Sequence, residues 1–176
     1  MQLKQWGTPP PKVYKPKVYD NFFPIDLQKK IFEKIFNSGW NYTGGSTVYK
    51  SSFWHVDELE KDEYFSSFLY DKICQKLNIT FRGFERIYAN GQTACQHGTP
   101  HTDDGDMTFL YYPNFEWDLT WDGNLFFCNE DEIIQTVNYK PNRAVLFPAK
   151  IRHYADAPFR FFNGLRVSLA YKLWKK

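Results

Sequence analysis

Leu27, Ile31 and Ile35 fall four apart with Phe32 and Phe36 beside them, the spacing of one apolar helix face. Pro24 suits the first turn and Gly39 is placed to end it, so the pattern predicts an amphipathic helix over residues 24–38. A second helix is expected from about 57 to 77. It opens with Asp57 and acidic neighbours, which favour a helix N-terminus, and it buries Tyr64, Phe65, Phe68, Leu69, Ile73 and Leu77. Cys74 lies beside that face as a small hydrophobe. After Asn78 the period changes. Residues 79–81, 84–88, 107–112, 124–128, 133–137, 144–147 and 165–173 are short runs rich in β-branched and aromatic residues, separated by Gly, Pro, Asn and Asp. Helices followed by a train of antiparallel strands predict an α+β chain whose second half is a two-sheet jelly roll. Ahead of the first helix, Pro9-Pro10-Pro11 and the echo of Lys12-Val13-Tyr14 in Lys17-Val18-Tyr19 predict an extended arm with one short strand.

A chain of 176 residues is expected to form a single domain: an arm over 1–20, helical support over 21–78 and a β core over 79–176. An aromatic content of 20% excludes a disordered or coiled-coil chain and supplies a packed interior. The net charge is +2, with the surplus read as tail charge (Lys12, Lys15 and Lys17; Lys172, Lys175 and Lys176), a balance that calls for no nucleic-acid partner. Cys74, Cys95 and Cys128 are scattered and odd in number, without a secretory-type start, which fits reduced thiols and a cytoplasmic location. Charges interrupt every apolar run within about ten residues, so no membrane span is expected. The chain is read as a monomer.

The chemistry concentrates at His101-Thr102-Asp103, with His153 and Arg166 far downstream. A histidine and a carboxylate two apart on one strand point to the same face, and a second histidine from a partner strand completes a three-ligand facial site, the set of a non-haem Fe(II) oxygenase. Arg166 shares its strand face with Ser168 and Ala170, and an arginine buried there needs an anion. A competing zinc set can be drawn from Cys95, His97, His101 and Asp103. Asp104 and Asp106 lack the alternation of a calcium loop and read as a solvated turn, and His55 reads as a loop histidine on the surface or in packing.

In order along the chain, Tyr88-Ala89-Asn90-Gly91, Pro100-His101-Thr102-Asp103, Thr108-Phe109-Leu110-Tyr111-Tyr112-Pro113-Asn114, Trp121-Asp122-Gly123-Asn124-Leu125-Phe126-Phe127, Pro141-Asn142-Arg143-Ala144-Val145-Leu146-Phe147-Pro148, His153 and Leu165-Arg166-Val167-Ser168-Leu169 resemble the 2-oxoglutarate/Fe(II)-dependent dioxygenases, in particular their prolyl-4-hydroxylase-like branch. The resemblance covers roughly residues 79–174 and implies a double-stranded β-helix with the preceding helices as buttress. It implies Fe(II) on His101, Asp103 and His153. It places the distal carboxylate of 2-oxoglutarate on Arg166, with Tyr112 donating to it, Leu125 packing on the carbon chain, and Tyr88 and Ser168 lining the pocket. Tyr111 then faces the other side of its sheet.

O2 and a peptide or protein substrate follow as partners, peptidyl proline as the substrate class, and ascorbate as a reductant for the iron. Dioxygenases acting on other side chains or small metabolites, and a non-catalytic jelly-roll binding module, remain as alternatives. Two stretches depart from the family's spacing. The interval from His153 to Arg166 is longer, with residues 155–162 expected to shape the substrate mouth and Arg160 a rival anchor for the cosubstrate. The interval from Tyr88 to His101 is also longer, and is expected to form a lid.

Overall fold

The computed structural model describes residues 15–44, 52–130 and 132–176. Pro9-Pro10-Pro11 and Lys12-Val13-Tyr14 lie outside them. The expected short strand of the arm is β1 (Lys17–Tyr19), which pairs antiparallel with β8 (Arg143–Pro148).

Helix α1 spans Ile25–Phe36. Ile31 and Ile35 are fully buried, and Gln28 joins them on the core side, donating to the carbonyls of Pro113 (3.2 Å) and Asn114 (2.8 Å). Phe36 is exposed and stacks on Phe32.

The second helix departs from expectation. A 3-10 turn (Leu59–Lys61) and a π-helical segment (Tyr64–Leu69) precede the α-helix proper, α2 (Tyr70–Leu77). Its buried residues are Phe65, Leu69, Ile73 and Leu77. A stripe spaced by four drifts around an α-helix of about 3.6 residues per turn, and a wider π turn supplies the slack that keeps it on one side. Phe68 lies off that stripe and is exposed, contrary to the reading that buried it.

Residues 41–44 and 52–56, assigned to the helical half from sequence, are instead paired strands, β2 (Asn41–Gly44) and β3 (Ser52–Val56). Ile79 and Thr80 stand outside the strands. β4 begins at Phe81 and runs unbroken to Gln92, after Asn78 closes α2 in the left-handed conformation.

The remaining strands are β5 (Met107–Tyr112), β6 (Leu125–Cys128), β7 (Ile133–Val137), β9 (His153–Ala155) and β10 (Arg166–Lys175). A seven-stranded sheet has the order β1-β8-β5-β10-β4-β3-β2, and a three-stranded sheet the order β7-β6-β9, widened by a backbone bridge between His101 and His153. From β5 onward the chain passes from the large sheet to the β6–β7 hairpin of the small one, back to β8, across to β9 and back to β10, the winding of a double-stranded β-helix.

Two apolar clusters result. The helices pack on the outer face of the large sheet around Phe109, Tyr111, Leu169 and Tyr171. Tyr112, Leu125, Phe127, Val145 and Phe147 fill the space between the sheets. Neighbours on β5 therefore part company, Tyr111 toward the helices and Tyr112 toward the interior. β10 is central, flanked by β4 and β5, and is buried from Arg166 to Leu173. Val167, Leu169, Tyr171 and Leu173 join the helix-side core. The opposite face carries Arg166, Ser168, Ala170 and Lys172, so two cations stand in the interior of the sandwich.

Candidate metal and cosubstrate site

His101 and His153 are held by each other's backbone. Each N–H donates to the other's carbonyl, at 3.0 and 2.9 Å. Asp103 follows two residues on, its N–H donating to the carbonyl of Ala149 (2.8 Å). The His-x-Asp stretch is a single bridge followed by loop, where the sequence predicted a strand; one rung of pairing suffices to aim both side chains inward.

The ligating atoms of His101, Asp103 and His153 lie within 4.8 Å of one another, the one such cluster among the described residues. His101 Nε2 is 3.5 Å from Asp103 Oδ1, and His153 Nε2 is 3.2 Å from Oδ2. Each Nδ1 is 2.8 Å from a carbonyl two residues upstream, Thr99 for His101 and Ile151 for His153. A carbonyl only accepts, so each ring donates from Nδ1–H and aims Nε2 at the carboxylate, where a bare Nε2 can serve as a metal ligand. Two imidazole lone pairs and a carboxylate converging in this way suit one shared divalent cation such as Fe(II).

Burial would raise the Asp103 carboxyl, but the imidazoles and the Lys172 ammonium more than offset this and hold it well below the usual carboxylate range. Rings seal the inner side: Phe147 lies edge-on to His153 at 4.7 Å and Phe127 at 6.1 Å, while His101 is partly open to solvent.

Arg166 heads the inner face of β10 and is 2% exposed. Its Nε donates to the carbonyl of Gly123 (2.7 Å) and its Nη1 to Gln92 Oε1 (2.9 Å). The guanidinium carbon sits 4.6 Å from the Tyr139 ring centre and 5.4 Å from that of Tyr112. Gly123, at φ +71°, is required here, because a Cβ would come within 2.9 Å of Arg166 Cδ. No carboxylate pairs with Arg166 among the described residues. The buried Tyr112 hydroxyl beside it has no hydrogen-bond partner there either, and burial pushes that phenol upward against the pull of Arg166 and Arg143. A cation without an anion and a hydroxyl without a partner form a cradle fitted to an incoming carboxylate.

The other residues singled out from sequence divide between the interior and a cavity. Leu125 packs on the cluster with Tyr112. Ser168 and Tyr88 line a cavity of about 530 Å³ that also reaches Asn90, Gln92, His101 and Asp103. Thr43, Phe53, His55 and Asp57, all from the β2–β3 hairpin or just after it, form its far wall. His55 is on β3 and mostly covered, 3.0 Å from both Asp57 Oδ2 and Thr43 Oγ1, which corrects its reading as a loop histidine.

Arg160 is exposed, lying over the Phe159 and Phe161 rings at the surface, while Arg166 holds the interior position. The alternative zinc set is not assembled. Cys95 is exposed, His97 Nδ1 meets Asp156 Oδ1 at 2.9 Å, and neither joins the cluster of His101 and Asp103. Asp104 pairs with Arg86 (2.9 Å), and Asp106 Oδ2 accepts the Lys175 N–H (2.9 Å). Of the 155–162 loop, Ala155 lines the cavity, while Phe162 packs against Trp117 and Trp121.

Three site residues escaped the sequence reading. Tyr139 lies on no strand, and its hydroxyl bonds Asn114 and the Val167 carbonyl. Gln92 reaches Arg166 because the two are register partners. Lys172 was counted with the basic C-terminal tail. It is 1% exposed, its ammonium in direct contact with Asp103 Oδ2. Period two on β10 held the signal, since Lys172 shares a face with Arg166.

No protein-family model and no curated protein sequence matches the chain. Solved structures do resemble it. A prolyl hydroxylase from Trichoplax adhaerens, in complex with a peptide fragment of the hypoxia inducible factor oxygen degradation domain, superposes with a TM-score of 0.66 at 17% identity, over 91% of this chain and 83% of that one. A Pseudomonas putida prolyl-4-hydroxylase gives 0.65 at 17% identity, over 93% and 94%. A viral collagen prolyl hydroxylase from Paramecium Bursaria Chlorella virus-1, in its 2-oxoglutarate complex, gives 0.66 at 12%, over 92% and 96%. The chain thus has the double-stranded β-helix fold of the 2-oxoglutarate/Fe(II) oxygenases.

Proposed function

We infer that the protein is an Fe(II)- and 2-oxoglutarate-dependent dioxygenase that hydroxylates an unactivated C–H bond, with peptidyl proline as the substrate class. Arg166 carries this reading: a buried guanidinium with no carboxylate partner among the described residues, beside the unpartnered Tyr112 hydroxyl and on the β10 face that also meets the metal cluster. A dicarboxylate that bridges a metal and a guanidinium answers both halves of that arrangement.

When bound, iron and 2-oxoglutarate supply the oxidising chemistry, coupling decarboxylation of the cosubstrate to insertion of an oxygen atom from O2. The chain's own work is placement. His101, Asp103 and His153 hold the metal; Arg166 and Tyr112 fix the distal carboxylate; Leu125 packs on the carbon chain. Phe127 and Phe147 keep water from the inner side of His153. Tyr88 and Ser168 line the open side, from which the substrate enters.

A peptide substrate draws support from the peptide in the similar Trichoplax structure. The far wall supports a second reading, a dioxygenase acting on a polar side chain or small metabolite, because His55 and Asp57 stand there with Arg86 and Asp104 beside them. Succinate formation from 2-oxoglutarate, with Fe(II) and ascorbate, tests both. Proline peptides that raise succinate and gain one oxygen atom support the first reading. Turnover that ignores such peptides moves the substrate to the second. No turnover with any substrate, and no binding of 2-oxoglutarate, removes the assignment.

A further inference from the structure

Lys172 is the one group at the metal cluster to which the proposed reaction gives no task. Its side chain is 1% exposed, and its ammonium touches Asp103 Oδ2, lies 3.5 Å from Thr108 Oγ1 and sits 5.3 Å from the centre of the Tyr88 ring. Thr108, from β5, donates to the same Oδ2 at 2.6 Å. The hydrogen bonds of Lys172 therefore go to the carboxylate and the threonine, and to neither imidazole. The ammonium reaches Asp103 from the inner face of β10. Each carboxylate oxygen faces one imidazole, Oδ1 that of His101 at 3.5 Å and Oδ2 that of His153 at 3.2 Å, but Thr108 and Lys172 both bind Oδ2 and neither binds Oδ1.

We propose that Lys172 is a positioning residue of the metal centre: with Thr108 it retains Oδ2, so that Asp103 offers the metal a single oxygen and the neighbouring coordination position stays free for the cosubstrate. The proposal rests on the dioxygenase reading and adds two consequences specific to Lys172. Its positive charge touches a ligand of a divalent cation, so it limits how tightly the metal is held. Its removal frees Oδ2, which allows the carboxylate to chelate. Both effects have the same sign. A variant without the ammonium binds metal more tightly and 2-oxoglutarate more weakly, the opposite of what simple damage to the site produces.

The test uses the full chain stripped of metal, as wild type, Lys172→Met and Lys172→Gln. Mn(II) affinity is read by electron paramagnetic resonance of the free ion, and ligand geometry by the visible absorption of the Co(II)-loaded protein. Lys172→Met is expected to bind Mn(II) about tenfold more tightly or better, as expected for deleting a like charge near the ion, with a Co(II) spectrum changed from wild type. Lys172→Gln, which keeps a donor to Oδ2 without the charge, is expected to bind Mn(II) more tightly while retaining the wild-type spectrum. Wild-type metal binding with no gain in Lys172→Gln overturns the role given to the charge, and an unchanged spectrum in Lys172→Met overturns the role given to positioning. If Lys172→Met does not fold, Thr108→Val, which removes the other donor to Oδ2, takes its place: a changed Co(II) spectrum supports the positioning role and an unchanged one overturns it. Failure of the wild type itself to bind Mn(II) or Co(II) sinks the metal centre, a result distinct from either.

Discussion

The inner face of β10 carries a buried cation at each end of a four-residue stripe, and the two are kept in opposite ways. Lys172 is complete within the protein, its charge matched by Asp103. Among the described residues Arg166 is met only by neutral groups, the Gly123 carbonyl, the Gln92 amide and two aromatic rings. A buried charge matched internally is part of the folded state, whereas one solvated only by dipoles lowers its energy further when an anion arrives. The difference separates structure from binding on a single strand.

The sharpest break in that comparison comes from the shared carboxylate. Asp103→Ala, or equally His101→Ala, is expected to abolish 2-oxoglutarate turnover, and full activity in either variant would end the assignment. Next are the cations themselves. Lys172→Met leaves a buried carboxylate without its ammonium and should cost the metal-free protein about 3 kcal/mol in urea unfolding. Arg166→Met should cost much less, because no internal ion pair is lost, yet it should raise the 2-oxoglutarate requirement on the order of a hundredfold. Equal destabilisation by the two would show that Arg166 has a hidden counter-ion.

Tyr112→Phe sharpens the same point at smaller scale: it removes a hydroxyl without a partner, so stability should hold or rise while 2-oxoglutarate binding weakens by up to about tenfold. The smallest effect belongs to a third cation, Arg143, at the surface. Its hydrogen bond to Asp20, helped by Lys140 and opposed by burial, lowers that carboxyl to about 2 from 3.8. The folded-state value is depressed, so the stabilisation is present above pH 3.8 and lost as pH falls toward 2. Acid titration of stability should show this loss in wild type and not in Asp20→Asn.

The elements legible from sequence were those whose pattern is local. α1 and β5, β6, β7, β8 and β10 announce themselves by period and by bounding turn residues, and the α+β double-stranded β-helix follows from their order. The hairpin β2–β3 was not legible: its nine strand residues give too little alternation to register, and sheet pairing with β4 fixes them. β9 has three residues and exists by pairing with β6. The three candidate ligands were found because His and Asp are chemically distinctive at that spacing. Tyr139 and Gln92 carry no such mark and reach Arg166 only through the tertiary fold. Lys172 was misplaced because charge near a C-terminus was read by position along the chain, where alternation along the strand was the better guide.

The reciprocal backbone bonds between His101 and His153 bear on how quickly the centre is loaded. The separation of the two rings is a rung of β-pairing, set before any ion arrives, and each ring is tethered to a carbonyl two residues upstream. An entering cation then orders almost nothing. Capture should proceed in one kinetic phase at a rate set by ion dehydration, and the amides of His101 and His153 should resist deuterium exchange as well in the stripped protein as in the loaded one.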